Sequence, residues 1–274
     1  MADQEKPELL LGKHTPVTAQ YTPALLYPIV RSEGRKRLGL TDPMPFEGFD
    51  LWHAYEMSWL DERGKPVARV GRFVIPASSP HIIESKSFKL YLNSLNHTRF
   101  PSEDAARSTI LRDVSLVVGA EVSLELYAVD DPGLAGTGLV GKCLDALPAT
   151  IAATEPNPEM LKLRSSDSVE EKLYSHLLRS LCPVTGQPDW ATVWIHYRGA
   201  ALDHSSLLQY IIAYREHQEF HEQCVERMFS DIYRRCAPRF LYIQAFYTRR
   251  GGLDINPLRS SEAGARPLPR LNRQ

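Results

Sequence analysis

Hydrophobic and polar positions change character several times along the chain. Prolines interrupt residues 1–40, which show no regular hydrophobic pattern, so we expect irregular structure there. Two strand-like runs follow at 49–60 and 67–75, and the segment between them contains Gly64 and Pro66. Glycine and proline between two extended runs favour a tight turn, so this region predicts a β-hairpin.

The rest of the first half predicts two helices and a further strand. Residues 85–95 have a helical pattern, and a stronger one covers 102–118. The second helix begins with serine, a preferred N-cap residue, and two acidic residues follow where the helix dipole favours negative charge. Residues 121–127 alternate apolar and polar side chains, which predicts a strand with one buried face.

The second half repeats this order of elements. Extended runs at 173–181 and 191–197 predict a second hairpin. Asp203 and Ser205 are expected to cap the next helix. A further helix and a final strand are predicted at 219–236 and 240–247.

The repeated order predicts an α+β fold made of two similar modules, each an antiparallel sheet with two helices on one face. A stretch rich in glycine, proline and alanine lies between residues 130 and 157. We expect the modules to join there, which divides the chain into 1–145 and 146–274.

Composition and charge are those of an ordinary globular protein, with 43% hydrophobic residues, 24% charged residues and a net charge of -1. This balance gives no reason to expect binding to nucleic acid or to a membrane surface. The N-terminal residues resemble no signal peptide, and no apolar run is long enough to span a bilayer, so we expect a cytoplasmic protein. The four cysteines are widely spaced and are expected to be free thiols.

The glycine-rich segment 136–142 matches GxGxxG and almost matches a phosphate-binding loop. Both motifs require a strand directly before them and a long helix directly after them. Here a proline- and glycine-containing stretch precedes the segment, Pro148 follows it, and Cys143 occupies the position of the magnesium-binding serine or threonine. We therefore interpret the segment as a linker and expect no Rossmann domain.

The turn CPVTGQPD at 182–189 carries the most informative pair of residues, Cys182 and Asp189. A hairpin brings its two ends together, so this thiol and this carboxyl can meet. A cysteine nucleophile must lose its proton, and a nearby acid can carry that proton to the substrate. The same pattern also fits a buried, inert cysteine and an aspartate that only stabilises the turn.

Several segments resemble the QueF family, the nitrile reductases of queuosine biosynthesis. The turn at 182–189 resembles the family's nucleophile turn, and ESKSFKLY at 84–91 resembles its signature helix. Phe-His-Glu at 220–222 resembles its second substrate-contacting motif, and RRGGLDINP at 249–257 resembles its C-terminal strand and tail. The opening segment, 11–29, is similar to that of the long, two-module form.

The resemblance implies tandem tunnelling-fold (T-fold) modules and the reduction of 7-cyano-7-deazaguanine to 7-aminomethyl-7-deazaguanine with two NADPH and no metal. It implies a covalent thioimidate between Cys182 and the nitrile carbon, with Asp189 as the proton donor. The implied substrate contacts are Ile83, Glu84, Ser85, Phe220, His221 and Glu222. The implied NADPH contacts are Ser85, Lys86, Arg250 and Gly251. A homodimer with no direct nucleic-acid or membrane partner is also implied.

Physical reasoning adds roles for some of these residues. A carboxylate can accept two N–H bonds side by side, so Glu222 is a candidate acceptor for the base and Glu84 a second one. Without the resemblance, ordinary solvated surface acids would be the favoured interpretation of both. Phe220 is a candidate wall of a closed pocket that shields the imine from water. Because Glu84 lies in the first predicted module and Cys182 in the second, we expect one active site built from both modules.

Two other functions stay open at this point. One is a zinc-dependent purine or pterin cyclohydrolase-like enzyme, since such enzymes share the T-fold and since His221 and Cys224 are spaced i, i+3. A zinc site needs three or four ligands, and no further ligands cluster here in the sequence. The other is a non-catalytic module that only binds a deazapurine.

Overall fold

The structure of the protein, a computed structural model, describes residues 20–150 and 155–274. In these residues the strands are β1 Pro28–Val30, β2 Glu47–Leu60, β3 Pro66–Pro76, β4 His81–Ile83, β5 Ser123–Tyr127, β6 Lys142–Cys143, β7 Leu163–Leu181, β8 Pro188–Leu202, β9 Phe240–Tyr247 and β10 Leu253–Ser260. The α-helices are α1 Arg31–Arg37, α2 Ser85–Ser94, α3 Glu103–Val118, α4 His204–Ile212 and α5 His221–Cys236. Residues 11–19 of the opening segment lie outside the described residues.

The chain forms two compact units whose segments alternate along the sequence. Among the described residues, unit 1 contains 20–33, 52–132 and 249–254, and unit 2 contains 34–51, 133–248 and 255–274. These units are discontinuous, whereas the modules expected at 1–145 and 146–274 are continuous, so that division stays a prediction. Strands β2 and β10 and helix α1 each contribute residues to both units.

Unit 1 combines antiparallel strands with helices α2 and α3. Strand β3 lies between β2 and β5, and it pairs with β5 so that Phe73 is opposite Leu124. Strands β1 and β4 form a separate antiparallel pair. Phe88 of α2 makes edge-on contacts with Trp52 of β2 and with Phe73, at ring-centroid distances of 5.4 and 5.1 Å. The apolar side of α2 therefore packs against the strands, as burial of aromatic surface favours.

Unit 2 has the strand order β10-β9-β8-β7-β6. Its neighbouring strands are antiparallel except for β6, which runs parallel to β7. The core contains apolar side chains of α4 and α5 together with those of the sheet, among them Leu207, Ile211, Phe229 and Ile243. Both units thus combine mostly antiparallel strands with two helices, which confirms the predicted α+β class and is consistent with T-fold modules.

Local capping chemistry explains where two of the helices begin. The hydroxyl of Ser102 accepts a hydrogen bond from the backbone N–H of Ala105, at 3.1 Å, ahead of α3. The carboxylate of Asp203 accepts one from Ser206, at 2.7 Å, ahead of α4. These two predicted caps are confirmed. The expectation that Ser205 also caps is wrong, because Ser205 lies inside α4.

Residues 28–37 correct the expectation that the first forty residues are irregular, because they form β1 and α1. Helix α1 has the sequence RSEGRKR and contains no apolar residue, so no hydrophobic period announces it. It instead buries a charged residue, Arg35, which binds Glu226 through two hydrogen bonds of 3.0 and 2.7 Å.

The glycine-rich segment 136–142 has the structure expected of a linker. It makes an isolated bridge between Thr137 and Leu271 and then enters the two-residue strand β6. Residues 135–150 contain no helix, so the segment lacks the helix N-terminus that a phosphate-binding loop uses. No helix within the described part of the chain is long and apolar enough to cross a membrane.

A buried ion-pair network holds three parts of unit 2 together. The guanidinium of Arg259 in β10 is fully buried and donates to Asp50, at 2.8 Å, and to Glu226 of α5, at 2.8 Å. Glu226 also binds Arg35. The ring of Phe46 lies near both guanidinium groups, at 5.7 Å from Arg35 and 5.5 Å from Arg259. The neighbouring carboxylates hold the pKa of Arg259 above its usual value although burial opposes the charged form.

We expect Glu226→Gln to destabilise the protein by about 3–5 kcal/mol, because it leaves buried guanidinium charge without its partner. The urea dependence of unfolding, followed by circular dichroism, measures the loss. Glu262→Gln is the control, because Glu262 pairs with Arg198 at the surface, where such a pair contributes less than about 1 kcal/mol. Equal losses in the two variants would contradict the proposed importance of the buried network.

Candidate functional site

The turn that carries the predicted nucleophile is ordered by its own backbone. The N–H of Cys182 donates to the carbonyl of Gln187, and the N–H of Gly186 donates to the carbonyl of Cys182, both at 2.9 Å. Gly186 has φ 66°, in the left-handed region that favours glycine. Cys182 follows the end of β7 and Asp189 is the second residue of β8, where it pairs with Ser180. Cys182 and Asp189 are therefore held at one end of a hairpin, and both are buried.

Asp189 lies beside His221, the first residue of α5. The distance from His221 Nε2 to Asp189 Oδ2 is 3.2 Å. The His221 ring stacks on the ring of Tyr247 in β9, with centroids 3.7 Å apart and an interplanar angle of 15°. Tyr247 is almost completely buried, so the stack fixes the orientation of the imidazole next to the carboxylate. The structure thus brings a predicted catalytic residue and a predicted substrate contact together.

The other two residues of the Phe-His-Glu motif also lie at the N-terminus of α5. Phe220 is the N-cap residue and is half-buried, and Glu222 is buried in the first turn. A carboxylate in the first turn interacts favourably with the helix dipole. His221 and Glu222 are neighbours in sequence, so their side chains diverge by about 100° on a helix. Placement at the helix end is the arrangement in which both can reach one ligand.

A second ionic cluster, which the sequence analysis missed, anchors the end of β7 directly before Cys182. The N–H of Leu181 donates to the carbonyl of His217, at 2.8 Å, and the N–H of Glu219 donates to the carbonyl of Leu181, at 3.2 Å. The side chain of Glu219 binds Arg227 of α5 at 2.6 Å and His217 at 3.0 Å. No short-range pattern predicts this cluster, because its members come from a loop and from the middle of a helix.

The charges in this cluster move its pKa values in opposite directions. Burial raises the pKa of Glu219, but the bonds from His217 and Arg227 outweigh it and leave that pKa lowered. Burial lowers the pKa of His217, but the carboxylates of Glu219 and Glu155 outweigh it and leave that pKa raised. Both shifts favour the charged forms, so the cluster holds a stable ion pair next to the nucleophile turn.

Cys224, which the zinc-enzyme hypothesis paired with His221, is a completely buried thiol. Burial raises its pKa well above the usual value. Among the described residues, His221 and Cys224 belong to no group of three potential metal ligands.

The predicted contacts in unit 1 surround the start of α2. Ile83 ends β4 and is buried, and Ser85 is the first residue of α2. The buried carboxylate of Glu84 caps the helix, accepting from the backbone N–H groups of Lys86, at 2.7 Å, and Ser87, at 2.8 Å. Burial raises the pKa of Glu84, which these bonds and the cations of Lys86 and Arg250 oppose.

Arg250 and Gly251 lie in a tight turn that precedes β10. Arg250 and Leu253 exchange backbone hydrogen bonds of 2.9 and 3.2 Å, and Gly251 has φ 61°. A cleft of about 180 Å³ lies beside this turn and the C-terminal half of α2, and its lining includes Glu56, Lys89, Asn93, Asn96, Gly251 and Gly252. Gly252 has φ 79°, in the left-handed region, so the turn favours glycine there.

Residues that the sequence analysis missed hold this turn in place. The N–H of Tyr55 donates to the carbonyl of Gly252, at 2.9 Å, and the guanidinium of Arg249 lies 3.3 Å from the centroid of the Tyr55 ring. Asp254 accepts from the hydroxyl of Tyr55, at 2.5 Å, and lies 2.7 Å from His53 Nδ1. Asp254 lies 201 residues from His53 and 199 residues from Tyr55 in sequence, so no local motif links it to them.

The predicted site residues therefore fall into two groups, each assembled within one unit. The catalytic-turn group in unit 2 comprises Cys182, Asp189, Phe220, His221 and Glu222. The α2 group in unit 1 comprises Ile83, Glu84, Ser85, Lys86, Arg250 and Gly251. The first offers a thiol, a carboxyl and an imidazole, and the second offers a helix N-terminus with two cations.

Comparison with known proteins matches two family models. The model described as "Nitrile reductase, 7-cyano-7-deazaguanine-reductase N-term" matches residues 17–126, and the one described as "QueF-like protein" matches residues 188–265. Curated relatives named NADPH-dependent 7-cyano-7-deazaguanine reductase come from Coxiella burnetii and Dechloromonas aromatica. Each is 52% identical over 259 residues, which is 94% of this chain and 92% of the relative.

A further relative of the same name, from Chromohalobacter salexigens, is 50% identical over 266 residues, which is 96% of each chain. Among solved structures, the crystal structure of the archaeosine synthase QueF-Like in the apo form matches with a TM-score of 0.31 and 20% identity. It covers 38% of this chain and 100% of that chain, a similarity too weak to support an argument.

Proposed function

This chain belongs to the QueF family of nitrile reductases, and on that premise we propose how its residues act. The protein is an NADPH-dependent oxidoreductase that reduces the nitrile of 7-cyano-7-deazaguanine to the amine of 7-aminomethyl-7-deazaguanine, a step of queuosine biosynthesis. This conclusion rests on three relatives named as reductases. About half of the aligned residues are identical, and each alignment covers more than nine-tenths of this chain and of the relative. Two equivalents of NADPH supply two hydrides, and two protons complete the four-electron reduction.

Cys182 is the proposed nucleophile. Its sulfur adds to the nitrile carbon, one bond of the C≡N group breaks, and the thiol proton reaches the nitrogen, which gives a neutral thioimidate. When the carbon accepts the first hydride and a proton is supplied, the C–S bond breaks, the thiol is restored and an imine remains. The second hydride and a second proton convert the imine to the amine. The burial of Cys182 and its placement in an ordered turn support this role.

Asp189 is the proposed proton carrier. A nitrile is a weak electrophile, and protonating its nitrogen during attack avoids a free imidate anion. The buried carboxyl at the other end of the turn from the thiol supports this role, since it is excluded from bulk water. His221, fixed by its stack on Tyr247, holds the orientation of Asp189 across their 3.2 Å contact.

The base itself is the proposed ligand of the Phe-His-Glu motif. Glu222 can accept the N–H donors of the deazaguanine edge through its two oxygens. Phe220, at the N-cap of the same helix, provides an apolar wall that keeps water from the imine. Ile83, Glu84 and Ser85 are proposed as further substrate contacts on the basis of the family resemblance.

The α2 group is proposed to bind NADPH. The N-terminus of α2 carries partial positive charge, and Lys86 and Arg250 both lie close enough to Glu84 to lower its pKa. This concentration of positive charge fits the phosphates of the cofactor. Gly251 has no side chain, so the backbone there is open to close approach, and Ser85 adds a hydroxyl at the first helical position.

The two other hypotheses gain no support from an observation of this chain. The matched relatives are reductases by name, and among the described residues His221 and Cys224 belong to no group of three potential metal ligands. We propose a cytoplasmic location, which the four free cysteines support because thiols persist in a reducing compartment. A homodimer is proposed from the family resemblance, and light scattering of the purified protein tests it.

Cys182→Ala is expected to form no adduct with 7-cyano-7-deazaguanine and to oxidise no NADPH, because the attacking sulfur is gone. Intact-mass spectrometry without NADPH detects the thioimidate in the unaltered protein as an increase equal to the substrate mass. Cys236→Ala, which removes a buried thiol of α5, is the matched control and retains the adduct. An adduct in Cys182→Ala would overturn the assignment.

Asp189→Asn is expected to keep the fold and lose most of the rate of thioimidate formation, by about 10²–10⁴-fold, since an amide cannot relay the proton. The amide retains an oxygen for the contact with His221, so the change isolates proton transfer. Stopped-flow measurement of adduct formation across pH gives the rate. A rate near that of the unaltered protein would show that the proton takes another route.

Lys86→Met is expected to raise the KM for NADPH by about 10-fold or more, because a charge-assisted hydrogen bond contributes about 1.5–3 kcal/mol. The KM for NADH should change less, because NADH lacks the 2′-phosphate. Lys65→Met, in the exposed β2–β3 turn, makes the same change of charge and serves as the control. If both cofactors are affected equally, Lys86 does not contact the 2′-phosphate.

A further inference from the structure

Three side chains with different metal-binding atoms meet in unit 2, apart from the catalytic-turn group. Cys143 lies in β6, Asp145 in the loop that follows, and His176 in β7. One sulfur, one carboxylate oxygen and one ring nitrogen from these residues lie within 4.8 Å of one another. None of the three has a role in the proposed reaction.

The backbone brings these residues together by two specific features. Strand β6 runs parallel to β7, with Cys143 opposite Tyr174, and the N–H of Leu144 donates to the carbonyl of Tyr174, at 2.9 Å. Strand β7 then has a bulge between Ser175 and Leu178. A bulge re-aims side chains near functional sites, and here it contains His176.

Hydrogen bonds orient two of the three groups in the manner of metal ligands. His176 Nδ1 lies 2.8 Å from the hydroxyl of Thr192, a completely buried residue, which leaves Nε2 as the nitrogen available to a metal. The carboxylate of Asp145 accepts from the hydroxyl of Ser175, at 2.7 Å, and from the backbone N–H of His176, at 3.1 Å. Ligating histidines and carboxylates are characteristically held by such outer hydrogen bonds.

We propose that Cys143, Asp145 and His176 form a binding site for zinc or a similar late first-row divalent cation, with water as the fourth ligand. A thiolate with an imidazole selects such ions over magnesium or calcium, which prefer all-oxygen sites. Zinc–ligand distances of about 2.0–2.3 Å place tetrahedral ligands about 3.5 Å apart. Side-chain movements of about 1 Å would therefore bring the three ligand atoms to the distances that a tetrahedral zinc ion requires.

The proposed ion fastens the edge strand β6 to the bulge of β7. Deprotonated Cys143 and ionised Asp145 balance its two positive charges. Arg273 donates to the backbone carbonyl of His176, at 2.7 Å, and this bond does not involve the proposed ligand atoms. The proposed ion takes no part in the reduction. The proposal therefore leaves the expectation of a metal-free reaction unchanged.

Cobalt(II) added to the chelator-treated full-length protein tests the site, because a cobalt–thiolate bond produces a charge-transfer absorption band. We expect the band to saturate at one equivalent per chain and zinc to displace it. Cys143→Ser should abolish the band, and Asp145→Asn and His176→Gln should weaken binding. Thr192→Val, which removes only the outer hydrogen bond, should weaken zinc binding by about 10–100-fold in competition with a chromophoric chelator.

The main control is Cys182→Ala, since Cys182, Asp189 and His221 also offer a thiol, a carboxyl and an imidazole. This variant should keep the cobalt band. Loss of the band in Cys182→Ala, its persistence in Cys143→Ser, or the absence of stoichiometric binding would each overturn the proposal. Circular dichroism spectra recorded in the presence of chelator check that each variant is folded. If Cys143→Ser does not fold, the zinc affinity of Thr192→Val decides the question. An unchanged affinity in that variant would overturn the proposal.

Discussion

The buried guanidinium of Arg259 is the constraint on which the arrangement of unit 2 depends. A charge taken fully out of water is tolerated only where partners surround it. Here the partners come from separate parts of the chain, because Asp50 lies between the first two segments of unit 1 and Glu226 lies in the middle of α5. Arg35 of α1 completes the set by binding the same glutamate. Satisfying one buried charge therefore fixes the position of α5 relative to β10.

Helix α5 links this buried network to the turn that carries Cys182 and Asp189. Glu226 points to the Arg259 network, whereas the next residue, Arg227, binds Glu219 on another side of the helix. Glu219 bonds to the backbone of Leu181, the residue before Cys182. The first residue of α5, His221, lies beside Asp189. One helix thus connects the structural network at its middle to both ends of the nucleophile turn, and small shifts of α5 must move the thiol and the carboxyl together.

The sequence predicted those features that depend on neighbouring residues. The hairpins, the periodic helices and the caps Ser102 and Asp203 are local, and the structure has them. Helix α1 escaped prediction because it is stabilised by an ion pair between residues 191 positions apart and not by an apolar stripe. The contacts of Asp254 with His53 and Tyr55, which support the turn at Arg250, were not predicted because they also join residues far apart in sequence. The sequence analysis also missed the group formed by Cys143, Asp145 and His176. Only the pairing of β6 with β7 brings Cys143 and Asp145 close to His176. Motif resemblance identified the candidate reactive residues, but not the residues that hold them.

The burial of the proposed reactive pair, Cys182 and Asp189, has a consequence for the proposed order of events. Cys182 and Asp189 are 4% and 6% exposed, so charges that develop between them are poorly stabilised by water. Attack by a free thiolate followed by separate protonation would create an imidate anion in that environment. Transfer of the thiol proton through the carboxyl as the C–S bond forms keeps the net charge of the site unchanged throughout. In the proposed mechanism the carboxyl of Asp189 must be in place before the substrate binds, and its contact with the stacked His221 is consistent with that requirement. In the proposed mechanism, exclusion of water would also protect the imine from hydrolysis between the two hydride transfers, so the same burial favours a proton relay and preserves the intermediate.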